Sequence, residues 1–210
     1  MSTLITYDMV DDLLLEDMEA ILSGEMDDEP SQADYRNRSE TAEHWATDDE
    51  FELEGEELRP ILLRAASLQA SYAGDDERAL HLALRAVEAA EAIGDWLIPD
   101  VRIRLYEALR VVGDEAKATE VEAGLRKRLP QDLDSFAEMA DIVAGLGDTE
   151  LAGRWFTMGI RFAEKHDLTE EFEYELLLIS RAELRESLGL QKDEFDLLAD
   201  AYIAEMDDEM

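Results

Sequence analysis

The sequence predicts an all-α protein built from stacked helical hairpins, and three observations carry that prediction. Apolar residues recur at intervals of three and four, most plainly in 132–165, where Phe136, Met139, Ala140 and Val143 form one stripe and Leu151, Ala152, Trp155, Phe156 and Ile160 form the next. A Gly-Asp step separates such stripes at Gly74-Asp75, Gly113-Asp114 and Gly147-Asp148. Glycine supplies the positive φ that closes one helix, and aspartate accepts from the free amides that open the next. The steps lie 39 and 34 residues apart, Gly189 follows 42 residues later, and periods of this length belong to helix-pair arrays. One such hairpin cannot bury its apolar face alone, so the pattern implies stacked neighbours.

Taken in order, residues 7–22 place Met9, Val10, Leu13, Leu14, Met18, Ile21 and Leu22 along one stripe opposite a run of acids, which predicts an amphipathic helix stopped by Ser23-Gly24. Residues 25–56 are charged and polar, with Tyr35, Trp45 and Phe51 isolated among them. That composition predicts an acidic flexible linker, because it offers too little apolar surface to offset the entropy of ordering. The expected organisation is therefore a helix in 1–24, a linker in 25–56 and a helical repeat domain in 57–210. In the repeat, first helices are expected over 57–72, 98–112, 133–146 and 169–188, and second helices over 76–93, 115–128, 149–165 and 192–206. Pro60, Pro99 and Pro130 fall near first-helix starts, where a missing amide costs least.

The charge is the outlying property: 54 acidic against 19 basic residues, net −35, with 19 acids and 2 bases in residues 1–56. Such a surface repels phosphate backbones and anionic membranes, so direct nucleic-acid or membrane binding is disfavoured and a basic protein or peptide is the expected partner. No segment approaches the roughly 18 apolar residues of a membrane span, and the first residues lack the basic start of a signal peptide; a cytoplasmic protein is expected. The absence of cysteine excludes disulfides and thiolate chemistry.

The hairpin unit resembles the tetratricopeptide repeat. Counting Leu133 as its first position, Phe136, Ala140, Gly147, Ala152, Phe156 and Gly159 stand at positions 4, 8, 15, 20, 24 and 27, where that repeat carries its characteristic residues. In the preceding copy Gly113, Ala118, Leu125 and Pro130 match, while Tyr106 replaces a small residue. The first copy contributes Gly74, Ala79, Ala83 and Ala86. The stretches RWFTMGIRFAEKHD and ELRESLGLQKDEFD are similar to bacterial proteins of this repeat type, some of which carry a cysteine-rich metal motif that this chain lacks. The resemblance implies a solenoid of three to four helix pairs. It also implies a concave face lined by first helices, here Arg64, Leu68, Ile103, Glu107, Arg110, Asp141, Ile179 and Glu183, holding a peptide or protein partner.

No catalytic, cofactor or metal motif is present, so a non-enzymatic scaffold is the expected role. His44, His81 and His166 are scattered without ligand spacing, and carboxylate pairs are too common to mark an acid/base site. Trp96, Trp155, Phe156, Phe162, Phe172 and Tyr174 recur at helical spacing and are expected in the core. Arg181 and Arg185, one turn apart in an acidic chain, form a candidate carboxylate clamp, with pairing to glutamates of their own helix as the simpler expectation. A function of another class, an acidic mimic that occupies the basic surface of a nucleic-acid-binding protein, also follows from the charge.

Overall fold

The computed structural model describes residues 2–13, 30–94 and 100–209. It is all-α apart from one short parallel strand pair, and none of the described helices is long and apolar enough to cross a membrane. Besides the helical residues 7–13, the described helices are α1 (Gln32–Thr47), α2 (Leu58–Tyr72), α3 (Asp76–Ile93), α4 (Val101–Val111), α5 (Glu115–Lys127), α6 (Leu133–Gly145), α7 (Thr149–His166), α8 (Phe172–Ser187) and α9 (Glu194–Glu209). The chain folds as two compact units, Met1–Arg128 and Leu129–Met210.

The Gly-Asp steps act as the sequence requires. Gly74, Gly113 and Gly147 have φ of 76°, 82° and 89°. Their amides donate to the carbonyls of Ser71, Arg110 and Ala144, while those of Asp75, Asp114 and Asp148 reach back to Ala70, Leu109 and Val143. This double closure satisfies carbonyls that the helix end would otherwise orphan. The same three aspartates then accept from the amides of Arg78, Lys117 and Leu151, so one residue finishes one helix and caps the next.

In the first unit the core is made of Leu58, Leu62, Ala66 and Ala70 from α2 against Ala79, Leu82, Ala86 and Ala90 from α3. The expectation of a flexible linker is corrected over its described residues, since α1 runs from Gln32 to Thr47 and packs on α2. Its buried stripe consists of Ser39, Ala42 and Ala46, small side chains that let the two backbones approach, with the Ser39 hydroxyl donating to the Ala66 carbonyl oxygen at 2.8 Å. Ser31 opens the helix with a reciprocal capping box to Asp34.

Two three-residue strands, β1 (Thr3–Ile5) and β2 (Phe51–Leu53), pair in parallel with Ile5 opposite Leu53. They tie the N-terminus to the far end of α1, an arrangement absent from the sequence expectation. Of the expected amphipathic helix, residues 7–13 are helical and described, and 14–22 lie outside the described residues. Val10 is buried in the core, with Met9 and Leu13 half-buried against it. Tyr7 donates its hydroxyl to Glu57 at the start of α2; partial burial and then that carboxylate push its pKa up to about 12.

In the second unit α6, α7 and α8 bury Phe136, Met139, Val143, Trp155, Phe156, Ile160, Leu177 and Leu178. Tyr174 and Ala199 are buried with them, the latter from α9. Phe162 stacks on His166 with centroids 4.3 Å apart and packs on Phe136. Phe172, expected in the core, is 61% exposed because it sits at the first position of α8. Trp96 lies outside the described residues.

Candidate functional site

In the first unit the predicted partner residues are drawn largely into the protein's own interactions. Ile103 is fully buried and belongs to the core, which corrects its assignment to a binding face. Glu107, half-buried, accepts from the buried Arg104 guanidinium. Arg110 donates to the Tyr106 hydroxyl at 2.7 Å, pairs with Glu115 at 3.1 Å and lies over the Tyr106 ring. Burial alone would lower its pKa, but Tyr106 and Glu115 raise it. Arg64 and Leu68 are half-buried on α2.

In the second unit Asp141 is exposed on α6, and neighbouring atoms that crowd its carboxyl raise its pKa by desolvation. Asp134, two turns earlier, is raised by desolvation first and then by Glu173 and Asp132. Ile179 and Glu183 of α8 line a groove of about 290 Å³ between α8 and α9. Its apolar floor comes from Ile179, Leu190 and Ile203, and its rim carries Glu183, Glu186 and Asp200. Lys192, also on the rim, is neutralised by the Asp200 carboxylate at 2.6 Å, which raises the lysine pKa. With Lys192 paired to Asp200 and Arg185 to Asp196, Glu183 and Glu186 leave the lining net acidic.

The helix α9 also exposes apolar side chains, of which all but Ile203 lie outside the groove lining. Leu197, Leu198, Ile203 and Met206 are between 37% and 60% exposed. Residues 194–209 contain seven acids and no base.

Arg181 and Arg185 do hold carboxylates, but those of their own chain. Arg181 is 7% exposed. It donates to Asp193 Oδ2 at 2.8 Å, to Asp196 Oδ1 at 2.9 Å and to the Thr157 hydroxyl at 2.9 Å. Arg185 donates to Asp196 Oδ2 at 2.8 Å and to the Gln191 carbonyl oxygen at 2.7 Å. The partners thus come from the segment entering α9, which corrects both the clamp for an external carboxylate and pairing within α8. Arg181 above all holds the Asp193 carboxyl down at a pKa of about 2.

Among the described residues one group has metal-ligand spacing: His44, Asp48 and Glu50, whose ligand atoms lie within 4.8 Å of one another. All three are exposed, and the imidazole already contacts Glu50 at 3.1 Å and Asp48 at 3.5 Å, closing the end of α1. Sequence reading saw His44 without companions because a helix end and a turn, rather than a helical period, gather them.

The chain matches no family model, no curated protein and no solved structure.

Proposed function

We propose that this protein is a non-enzymatic binding module of the tetratricopeptide-like kind, and that it takes an apolar, basic segment of a protein partner in the groove between α8 and α9. The observation that carries this reading is the pairing of apolar Ile179, Leu190 and Ile203 with a net acidic lining, in which α9 contributes acids and no basic residue. An amphipathic segment with one apolar face and flanking lysines or arginines complements both features. Acidity also sets the kinetics, since long-range attraction speeds the encounter of a basic partner and is screened by salt.

The test compares capture of cytosolic proteins by the wild-type chain with capture by Ile179→Arg and by Glu183→Lys, each at low and high salt. Proteins retained by wild type and lost from both variants support the groove. Proteins retained equally by all three, and released by salt alone, support the acidic mimic instead.

A further inference from the structure

A second cavity, of about 470 Å³, lies between α7 and α8. Its wall inverts the character of the chain. Arg154, Arg161, Arg181 and Arg185 line it with Glu150 as the sole acid, in a protein where acids outnumber bases by 54 to 19. The remaining lining is mostly apolar, from Met158, Leu184, Leu188 and Leu190.

The hollow follows from residue choice on the two helices. Residues 150, 154, 157, 158 and 161 repeat at three and four along α7, as 181, 184, 185 and 188 do along α8, so one stripe of each faces the cavity. Gly153 adds no side chain on the α7 wall, where the nearest atom to an added Cβ, Leu184 Cδ2, is 3.9 Å away. The inner polar groups are already spent on one another. Thr157 donates to the Gly153 carbonyl oxygen at 2.7 Å and accepts from Arg181, which Asp193 and Asp196 neutralise along with Arg185.

The two outer arginines are different. Arg161 is exposed and makes no ion pair among the described residues. Arg154 approaches Glu150 only at 3.6 Å, with both side chains mostly in water, a contact that holds an arginine weakly. Seven residues separate them, about 10 Å of helix, and both line the cavity on the α7 side together with Met158.

We propose that this cavity binds a small aliphatic monocarboxylate, its hydrocarbon tail on Met158, Leu184, Leu188 and Leu190 and its head on Arg161 or Arg154. Guanidinium matches carboxylate geometry in a two-pronged contact, and the volume lies at the lower end of small-ligand sites. The net charge of −35 selects the size of the ligand. A polyanion or an acidic protein would meet the rest of that surface, whereas a single-charge ligand that fits inside the hollow does not. The cavity shares Arg185 and Leu190 with the α8–α9 groove, but its α7 wall, with Arg154, Met158 and Arg161, belongs to it and not to the groove.

The experiment titrates octanoate into the full-length, isotope-labelled chain and follows the amide signals of Gly153, Met158 and Leu184, with acetate, octylammonium and an acidic peptide as comparison probes. Saturable shifts at those residues are expected with octanoate. Acetate is expected to bind at least tenfold more weakly, and the double variant Arg154→Gln, Arg161→Gln to lose at least tenfold in octanoate affinity while melting as wild type does, since both side chains are exposed. The proposal is overturned if octanoate leaves those signals unmoved, if octylammonium binds as well, or if the double variant binds unchanged. It is equally overturned if the acidic peptide saturates the site and octanoate does not.

Discussion

Arg104 donates from Nε to the Ser67 hydroxyl at 3.1 Å, and that hydroxyl donates in turn to the Ala79 carbonyl oxygen at 2.7 Å. One buried serine thereby joins α4 to α2 and α3. Arg104 is 1% exposed and Ser67 fully buried, so water cannot replace a lost partner. A buried guanidinium is tolerable only while its donors are satisfied.

Replacing Ser67 by alanine removes an acceptor from Arg104 and a donor from Ala79. The expected cost is about 1–3 kcal/mol, read as a lower midpoint in urea melts, which leave ionic strength unchanged. Arg104→Ala is expected to cost more, about 3–5 kcal/mol, because a cavity is added to the lost bonds. Arg104→Met should fall between wild type and the alanine variant, since it refills the space and leaves the half-exposed Glu107 able to rehydrate. Midpoints for Ser67→Ala and wild type that coincide would show that the network contributes nothing to stability.

Gly159 and Gly153 sit on the same helix and predict opposite outcomes for the same substitution. A Cβ at Gly159 would lie 2.8 Å from Phe136 Cβ and 3.0 Å from Leu177 Cδ1, inside the contact of α7 with α6 and α8. At Gly153 the nearest atom would be 3.9 Å away, an ordinary contact. Alanine gains up to about 1 kcal/mol over glycine in a helix interior. Overpacking costs about 1–3 kcal/mol. Gly153→Ala should therefore raise the urea midpoint and Gly159→Ala should lower it. Finding both midpoints raised would mean that the approach of α7 to Phe136 relaxes freely, and finding both lowered would mean that the space beside Gly153 does not accept a methyl group.

The helix boundaries that sequence reading placed well are those written in local chemistry. The second helix of the first pair runs from Asp76 to Ile93 as its apolar stripe and the Asp75 cap demand, and the three Gly-Asp steps close and open helices at their own positions. What was illegible depends on partners far along the chain. α1 carries its buried stripe in Ser39, Ala42 and Ala46, residues whose small size permits close packing but whose hydropathy leaves almost no periodic signal. Strands of three residues are too short to display alternation, so β1 and β2 could not be read. Ile103 and Arg181 stood at positions that the repeat resemblance, or charge spacing, assigned to a partner. The structure uses Ile103 for its core and Arg181 for carboxylates 12 and 15 residues away, brought back by the turn at Gly189.

The Arg181–Asp193 pair makes the second unit sensitive to acid over a defined interval. With the Asp193 carboxyl held at a pKa of about 2, below the roughly 3.9 of an unfolded aspartate, folding favours its ionised form. Its contribution is complete above about pH 4 and disappears as pH falls toward about 2. Its side chain is 38% exposed, so solvent screening limits the contribution to the range of about 0–1 kcal/mol measured for exposed ion pairs. Other carboxylates titrate over the same interval, and the informative quantity is therefore the difference between wild type and Asp193→Asn. The variant should melt earlier at neutral pH, and the gap should close as pH is lowered from about 4 to about 2. Fluorescence of Trp155, buried in this unit, can follow the transition. A gap that stays constant across the interval would show that Arg181 gains nothing from the charge on Asp193.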